Sequence, residues 1–341
     1  REYLVGAKTI KTALVTGIAG MDGSFLAELL LSKGYRVCGI LRRQSVAENQ
    51  DDRLKHISDR LELFYGDLLS PTSLSEIVER VQPDEVYNLA AMSHVRVSFD
   101  IPDFTLDVNA MGVLRVLQAI KSRCPKAKMY QASSSEMWGL SFDADGYQRE
   151  TTPMNPTSPY GIAKVCAFNL VRHYRRAHKM FAVNGCLFNH TSPRRGSNFV
   201  EAKVIKTAVE IKHGIADKLV LGNLDSQRDI GHSRDYTRAM WMMMQHGEPD
   251  DFVISTGETR SVRQLCDHVF SRLDMNYRDY VQQDQRYMRP EELPYLCGDC
   301  SKAKRVLGWE PEYTFEQIVD EMIEHFQRKV TDGTDLLSRP A

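Results

Sequence analysis

Short apolar runs alternate with amphipathic stretches from near the start of this chain to beyond its middle. KTALVTG is an apolar run rich in β-formers, and the glycines of TGIAGMDG follow it directly. Next, SFLAELLLSKG carries Phe25, Leu26, Leu29 and Leu30 as a helical stripe that Gly34 stops. YRVCGIL and LELFYGDL read as further strands, SPTSLSEIVERV as a helix and DEVYNLAA as a buried strand. NAMGVLRVLQAIKSR spaces Met111, Leu114, Leu117 and Ile120 as a helix packing on a sheet, and KMYQASS is the next strand. This alternation argues for an α/β fold with a doubly wound parallel sheet, whose ligands sit at the carboxyl ends of the strands.

The segment SPYGIAK opens a helix that runs on through Ala167, Leu170, Val171 and Tyr174, and FAVNGCLFNH is the following strand. Then the grammar changes. SPRRGSNFVEAKVIKTAVEIKHG brings basic residues and a helix, and LVLGNLDSQRDIGHSRDY reads as a strand and a polar loop. AMWMMMQ is an apolar helix face that fills core gaps, and DFVISTG returns to the main sheet. Ser261 with Gln264, and Thr314 with Gln317, match capping boxes for two late helices. Between them RYMRPEELPYL is loop-like, held open by Pro290 and Pro294. We expect a dinucleotide-binding domain over 11–188, with 225–258 returning to it. A smaller mixed α/β substrate lobe then takes 189–224 and 259–328, and 1–10 and 329–341 are flexible termini.

A length of 341 residues agrees with two lobes at ~150 residues per domain. The net charge of -1, with no long basic run, leaves no electrostatic footprint for nucleic acid or an anionic membrane. No apolar run approaches the ~18 residues of a membrane span, and REYLVGAKTIK lacks the features of a secretion signal. Seven scattered cysteines fit reduced thiols, so we expect a cytoplasmic enzyme. Cys297 and Cys300 form a CxxC with no second pair to complete a metal site, and none is expected.

Gly17, Gly20 and Gly23, between a strand and a helix, let the backbone turn tightly and approach a pyrophosphate at the helix N-terminus. About twenty residues further on, where an acid would meet the ribose 2′-hydroxyl of NAD, stand Arg42 and Arg43. Guanidinium groups there favour the 2′-phosphate of NADP; a solvated basic turn is the alternative. Asp67 ends the next strand, where an adenine can be met. Ser133, Ser134, Ser135 and Glu136 end another, at the ligand edge. The serines can donate to a substrate oxygen and Glu136 can act as a base, although serines also cap turns and glutamates face water. Tyr160 and Lys164, four residues apart on a helix, share one face. A phenol serves as a base near neutrality when a cation stabilises the phenolate, and Lys164 is placed to be that cation.

Taken together, several segments carry a family resemblance: TGIAGMDGSFLAELL, EVYNLAAMSHVRVSF, YQASSSEMWG, ETTPMNPTSPYGIAK, LFNHTSPRRG, LGNLDSQRDIGH, RPEEL and KAKRVLGWEP. From Lys11 to Phe326 the chain resembles the extended short-chain dehydrogenase/reductase superfamily and, within it, the GDP-mannose 4,6-dehydratases. The resemblance implies a Rossmann lobe that binds NADP, a C-terminal lobe that binds a GDP-sugar, and a homodimer or homotetramer. It implies Tyr160 as base, Lys164 as its partner and a ribose contact, both also touching the cofactor, with Ser134 at the sugar's 4-hydroxyl and Glu136 as the C5 base. Gly17, Gly20, Asp22, Gly23, Arg42, Asp67, Leu68, Leu89, Ser93, His190 and Arg195 fall on cofactor positions. Ser93 and Ser135, with Asn189, Lys203, Arg228, Arg289 and Glu292, are expected near the GDP-sugar. Structural alternatives stand beside these: His190 as a buried, hydrogen-bonded histidine, and Lys203, Arg228 and Arg289 as surface charges. Ser134 replaces a usual threonine, Ala19 and Met21 depart from the commoner glycine turn, Thr191 replaces a glutamate and Phe104 a tyrosine. These departures leave room for a related substrate such as a GDP-manno-heptose, and an epimerase or 4-dehydrogenase of the superfamily is the enzymatic rival.

Overall fold

The computed structural model describes residues 10–43 and 52–333; the leader and the final residues, 334–341, lie outside the described residues. Its strands are β1 (Thr12–Thr16), β2 (Arg36–Leu41), β3 (Leu61–Tyr65), β4 (Glu85–Asn88), β5 (Lys128–Ser134), β6 (Ala182–Leu187), β7 (Asn189–Thr191), β8 (Leu219–Leu221), β9 (Gln227–His232), β10 (Asp251–Ile254), β11 (Thr259–Ser261), β12 (Val281–Gln283) and β13 (Tyr295–Leu296). The α-helices are α1 (Met21–Ser32), α2 (Pro71–Val81), α3 (Val95–Ser98), α4 (Pro102–Leu106), α5 (Gly112–Arg123), α6 (Pro159–Ala177), α7 (Val200–Lys212), α8 (Ser233–Gln245), α9 (Val262–Arg272), α10 (Ser301–Leu307) and α11 (Phe315–Thr331).

Seven strands form one parallel sheet in the order β10-β6-β5-β4-β1-β2-β3. The chain leaves β1 in both directions, to β2 on one side and β4 on the other. That reversal opens a crevice at the carboxyl ends of β1 and β4. β1 and β6 are buried along their whole length, as a sheet covered on both faces requires. On one face α1 and α8 set Leu26, Leu30, Met240 and Met243 against Val15 and Val183. On the other, α2, α5 and α6 set Leu74, Leu117 and Val171 against Leu14, Val86 and Met129. AMWMMMQ is therefore core, and DFVISTG does return to the sheet as β10, beside β6.

In the smaller C-terminal domain β9 pairs antiparallel with β11 and parallel with β7 and β13. Around it α7, α9 and α11 bury Ile205, Val209, Leu265, Phe270 and Met322. Both capping boxes form, with reciprocal bonds at Ser261/Gln264 and Thr314/Gln317.

Four sequence expectations change. QRDIGH, read as polar loop, is strand β9, because its charges are buried with partners: Asp229 accepts from Thr256 N and Gly257 N, both at 2.8 Å. RYMRPEELPYL ends in strand β13. Met111 is 45% exposed, since the backbone makes a π-turn over Asp107–Met111 and α5 buries Val113, Val116, Leu117 and Ile120 instead. The last helix, α11, continues through Thr331 into the segment read as a flexible tail. Among the described residues no helix is long and apolar enough to cross a membrane, and no group of three or more ligating side chains could hold a metal.

Candidate active site

The glycine turn works through missing side chains. Gly17 has φ +68°, and a Cβ there would lie 2.8 Å from Ala90 N at the end of β4. Gly20 N donates to Gly17 O at 2.9 Å, closing the turn. At Gly23 a Cβ would stand 2.2 Å from Gly17 O. Turn, strand end and helix therefore meet backbone to backbone, a cradle that fits a dinucleotide pyrophosphate at the N-terminus of α1. Thr16 reinforces it, its Oγ1 accepting from both Leu89 N and Ala90 N at 3.1 Å.

Asp22, in the first turn of α1, holds His190: His190 Nε2 lies 2.7 Å from Asp22 Oδ2, and its Nδ1 lies 2.8 Å from Phe188 O. Burial raises the Asp22 carboxyl, but His190 and Arg195 outweigh burial and hold it below the usual range. His190, packed 4.5 Å from the Tyr236 ring, thus ties the cofactor turn to β7. Arg195 stacks 3.7 Å over Phe199, and its buried Nε has no partner among the described residues. An anionic ligand would satisfy such a donor.

Arg53 has no signal in the sequence, yet it joins the same region. It donates to Ala19 O in the glycine turn at 3.2 Å and to Arg194 O at 2.9 Å. Burial, then the charge of Arg194, pushes its pKa down. Arg42 is exposed at the end of β2. Asp67 and Leu68 follow β3, with Leu68 buried in the core and Asp67 Oδ1 accepting from Leu69 N at 2.9 Å. Ser93 is exposed beyond β4.

The reacting edge lies where β5 ends. Ser134 Oγ accepts from Glu136 N at 3.2 Å and lies beside the Tyr160 hydroxyl, where it works to lower the phenol's pKa. Ser135 and Glu136 are buried in the single 3-10 turn that follows. Tyr160 enters from α6, which Ser158 caps by accepting from Gly161 N at 3.0 Å. Gly161 follows Tyr160 on α6. A Cβ there would lie 2.8 Å from Glu136 O, so only glycine lets α6 pack against the turn that carries Glu136.

Burial pushes the Tyr160 phenol up to about 12; its bond to Ser134 works against this and the Glu136 charge adds to it. Lys164 Nζ donates to Ala132 O at 2.8 Å and stands 5.6 Å from the Tyr160 ring centre, while burial pushes its ammonium down to about 8. The tyrosine and lysine do share a face. In the protein alone, however, the lysine is directed at a carbonyl and the phenol is not lowered.

Glu136 is reached from the other lobe. Its Oε1 accepts from Arg289 Nη1 at 3.2 Å, and its Oε2 is buried with no partner among the described residues. Arg289 N donates to Glu292 Oε1 at 2.8 Å. Arg228 is buried, and its Nη1 donates to Leu293 O at 2.8 Å, fastening this segment over β9. Ser134, Glu136, Arg289 and Glu292 thus form one chain of contacts that Arg228 anchors. Lys203 points elsewhere, donating to Val220 O at 2.7 Å and lying 4.1 Å over the Tyr287 ring. Asn189 is half-buried at the start of β7.

A nucleotide cradle stands beside a half-buried tyrosine and a buried carboxylate, and similarity decides the family. The family described as GDP-mannose 4,6 dehydratase matches residues 14–322. The chain belongs to that family. GDP-mannose 4,6 dehydratase 2 of Arabidopsis thaliana is 48% identical, over 92% of this chain and 86% of that protein. The human GDP-mannose 4,6 dehydratase is 44% identical, over 93% of this chain and 91% of its own length. Among solved structures, a dTDP-glucose 4,6-dehydratase from Bacillus anthracis, determined in complex with NAD, superposes with a TM-score of 0.81. At 22% identity, over 94% of this chain and 98% of that one, that likeness shows a shared fold.

Proposed function

We propose that the chain is an NADP-dependent GDP-mannose 4,6-dehydratase, converting GDP-mannose to water and the GDP-4-keto-6-deoxy sugar. One observation carries this reading: an alcohol base and a carbon-acid base meet at one serine. Ser134 accepts from the N–H of Glu136 and lies beside the Tyr160 hydroxyl. Dehydration across C5 and C6 needs two bases, one for the C4 hydroxyl and one for the C5 hydrogen that the C4 ketone acidifies. An epimerase needs only the first.

Tyr160 takes the C4 hydroxyl proton while Ser134 orients that oxygen. Lys164, held by Ala132 O, places its positive charge beneath the phenol ring. A bound oxidised nicotinamide would add the charge that lowers the phenol, accept hydride from C4 and return it to C6. Glu136 removes the C5 proton and delivers it to the departing C6 hydroxyl, which leaves as water. Once C6 has its hydride, C5 takes a proton from water and Tyr160 gives up the C4 hydroxyl proton, which closes the balance. Arg289 and Arg228 support a diphosphate nearby. Arg42, exposed at the end of β2, supports NADP over NAD.

GDP-mannose deuterated at C4 tests the reaction. Label at C6 of the product is expected; label retained at C4 points to epimerisation and label in free NADPH to dehydrogenation. The same measurement with a GDP-manno-heptose compares the two sugars. Comparing affinities for NADP and NAD tests the cofactor.

We also propose a homodimer or homotetramer. Val97, Ile101, Leu106, Met111 and Ile162 are exposed apolar residues along α3, α4 and α6 and the turn between α4 and α5. A second copy would cover them. Light scattering should give a multiple of the chain mass that Ile162→Asp reduces. The seven free cysteines support a cytoplasmic location.

A further inference from the structure

We propose that Arg289 is a positioning residue that occupies Glu136 in the free protein and is drawn off it by the diphosphate of the incoming sugar nucleotide. The base is then released only in a loaded site. This rests on reading Glu136 as the C5 base.

Glu136 is a buried carboxylate, 8% exposed at its side chain, and the Arg289 guanidinium compensates its charge. The contact is a single bond from Nη1 at 3.2 Å. Charge-assisted bonds run nearer ~2.8 Å, and an arginine clamp on a carboxylate is commonly two-pronged. A longer, one-pronged contact is one that a better anion can displace. The backbone beneath Arg289 is fixed at two points, by Glu292 Oε1 on its own N–H and by Arg228 on Leu293 O. Its side chain, 26% exposed, can therefore turn without moving the segment. Arg228 is close enough for its own charge to sense both Glu136 and Arg289, so a diphosphate entering here meets two guanidinium groups. When Arg289 turns to those oxygens, Glu136 keeps its place, fixed by Ser134 and Gly161, and loses its counter-ion.

Two consequences follow for the chemistry. Water elimination becomes contingent on an occupied diphosphate site, and the carboxylate stays paired and out of water until needed.

The test uses the full chain carrying glutamate labelled with carbon-13 at the carboxyl, with the Glu136 resonance assigned by its loss in Glu136→Gln. GDP is the probe, its saturation followed by phosphorus resonance. Saturating GDP should move the Glu136 resonance of the wild type. In Arg289→Met the resonance should already sit near the GDP-bound position and stay there, and Arg289→Lys should restore most of the movement. A wild-type resonance that GDP leaves in place overturns the proposal, as does an Arg289→Met resonance that moves as far as the wild type. Failure of the underlying reading looks different. Glu136→Gln with full dehydratase activity would remove Glu136 as base and leave the resonance result standing.

Discussion

The glycine turn and the Glu136 pocket stand at the same edge of one sheet, yet they are made in opposite ways. The turn is backbone. Gly17, Gly20 and Gly23 lie within seven residues, and their function is to leave space that a single methyl would fill. The pocket is side chains, assembled from β5, α6 and a segment 153 residues away. The turn is therefore sensitive to what is added and the pocket to what is removed. The turn also asks little of stability, whereas the pocket holds a lysine and a glutamate out of water.

The largest effect should come from the pocket. Tyr160→Phe deletes one oxygen and should lower turnover by about two to four decades, the range of a general base. NADP binding, measured by fluorescence titration, should change little. Near-normal turnover would place the alcohol base elsewhere and erase the contrast.

Next comes stability. Burial takes Lys164 from its ordinary 10.5 to about 8, which corresponds to roughly 3 kcal/mol against the folded state. The sign follows from linkage: the unfolded chain binds the proton more tightly, so the penalty is full below about 8 and fades as pH rises towards 10.5. Lys164→Met in cofactor-free protein should be more stable than wild type near neutrality, by chemical denaturation, and the gap should close above about 8. An equal gap at every pH would mean that packing, not the buried charge, separates the two proteins.

The turn gives the converse. Gly23→Ala adds one carbon where Gly17 O stands 2.2 Å away. Overpacking of this kind costs about 1–3 kcal/mol. Dinucleotide affinity should fall by roughly five- to a hundred-fold, while Tyr160 and Glu136 are untouched. Unchanged affinity would show that the turn can yield, and that its glycines serve folding rather than the ligand.

What was legible in the sequence follows the same division. The glycine turn, the strand and helix alternation, the Tyr160/Lys164 face and both capping boxes depend on neighbours a few residues apart, so spacing reveals them. Strand β9 was read as loop because Arg228 and Asp229 look solvated until Leu293, Thr256 and Gly257 arrive to partner them. Arg53 and the Glu136–Arg289 pair depend on contacts across lobes, which no local pattern encodes. Met111 failed for a different reason: an α-helical period was assumed through a π-turn. Glu136 and Tyr160 were readable as candidates, but the Lys164 bond to Ala132 O and the raised phenol were not, because burial is a property of the assembled fold.

Legibility and energetic weight are separate, and the smallest effect shows this. Ser261 was among the clearest sequence signals, and its reciprocal bonds with Gln264 form as expected at the start of α9. Replacing it by alanine frees one backbone donor at an exposed helix end, where water can take over, so the loss should be about 1 kcal/mol. Ser261 bonds to Gln264 and not to Tyr160, Glu136 or Arg289, so turnover should be unchanged when the melting temperature drops by a few degrees. If Ser261→Ala also lowers turnover, the C-terminal domain is coupled to Glu136 more tightly than the single Arg289 bond accounts for. The segment that Arg228 fastens beside β9 is then the place to look, because β9 pairs with β11, whose last residue is Ser261.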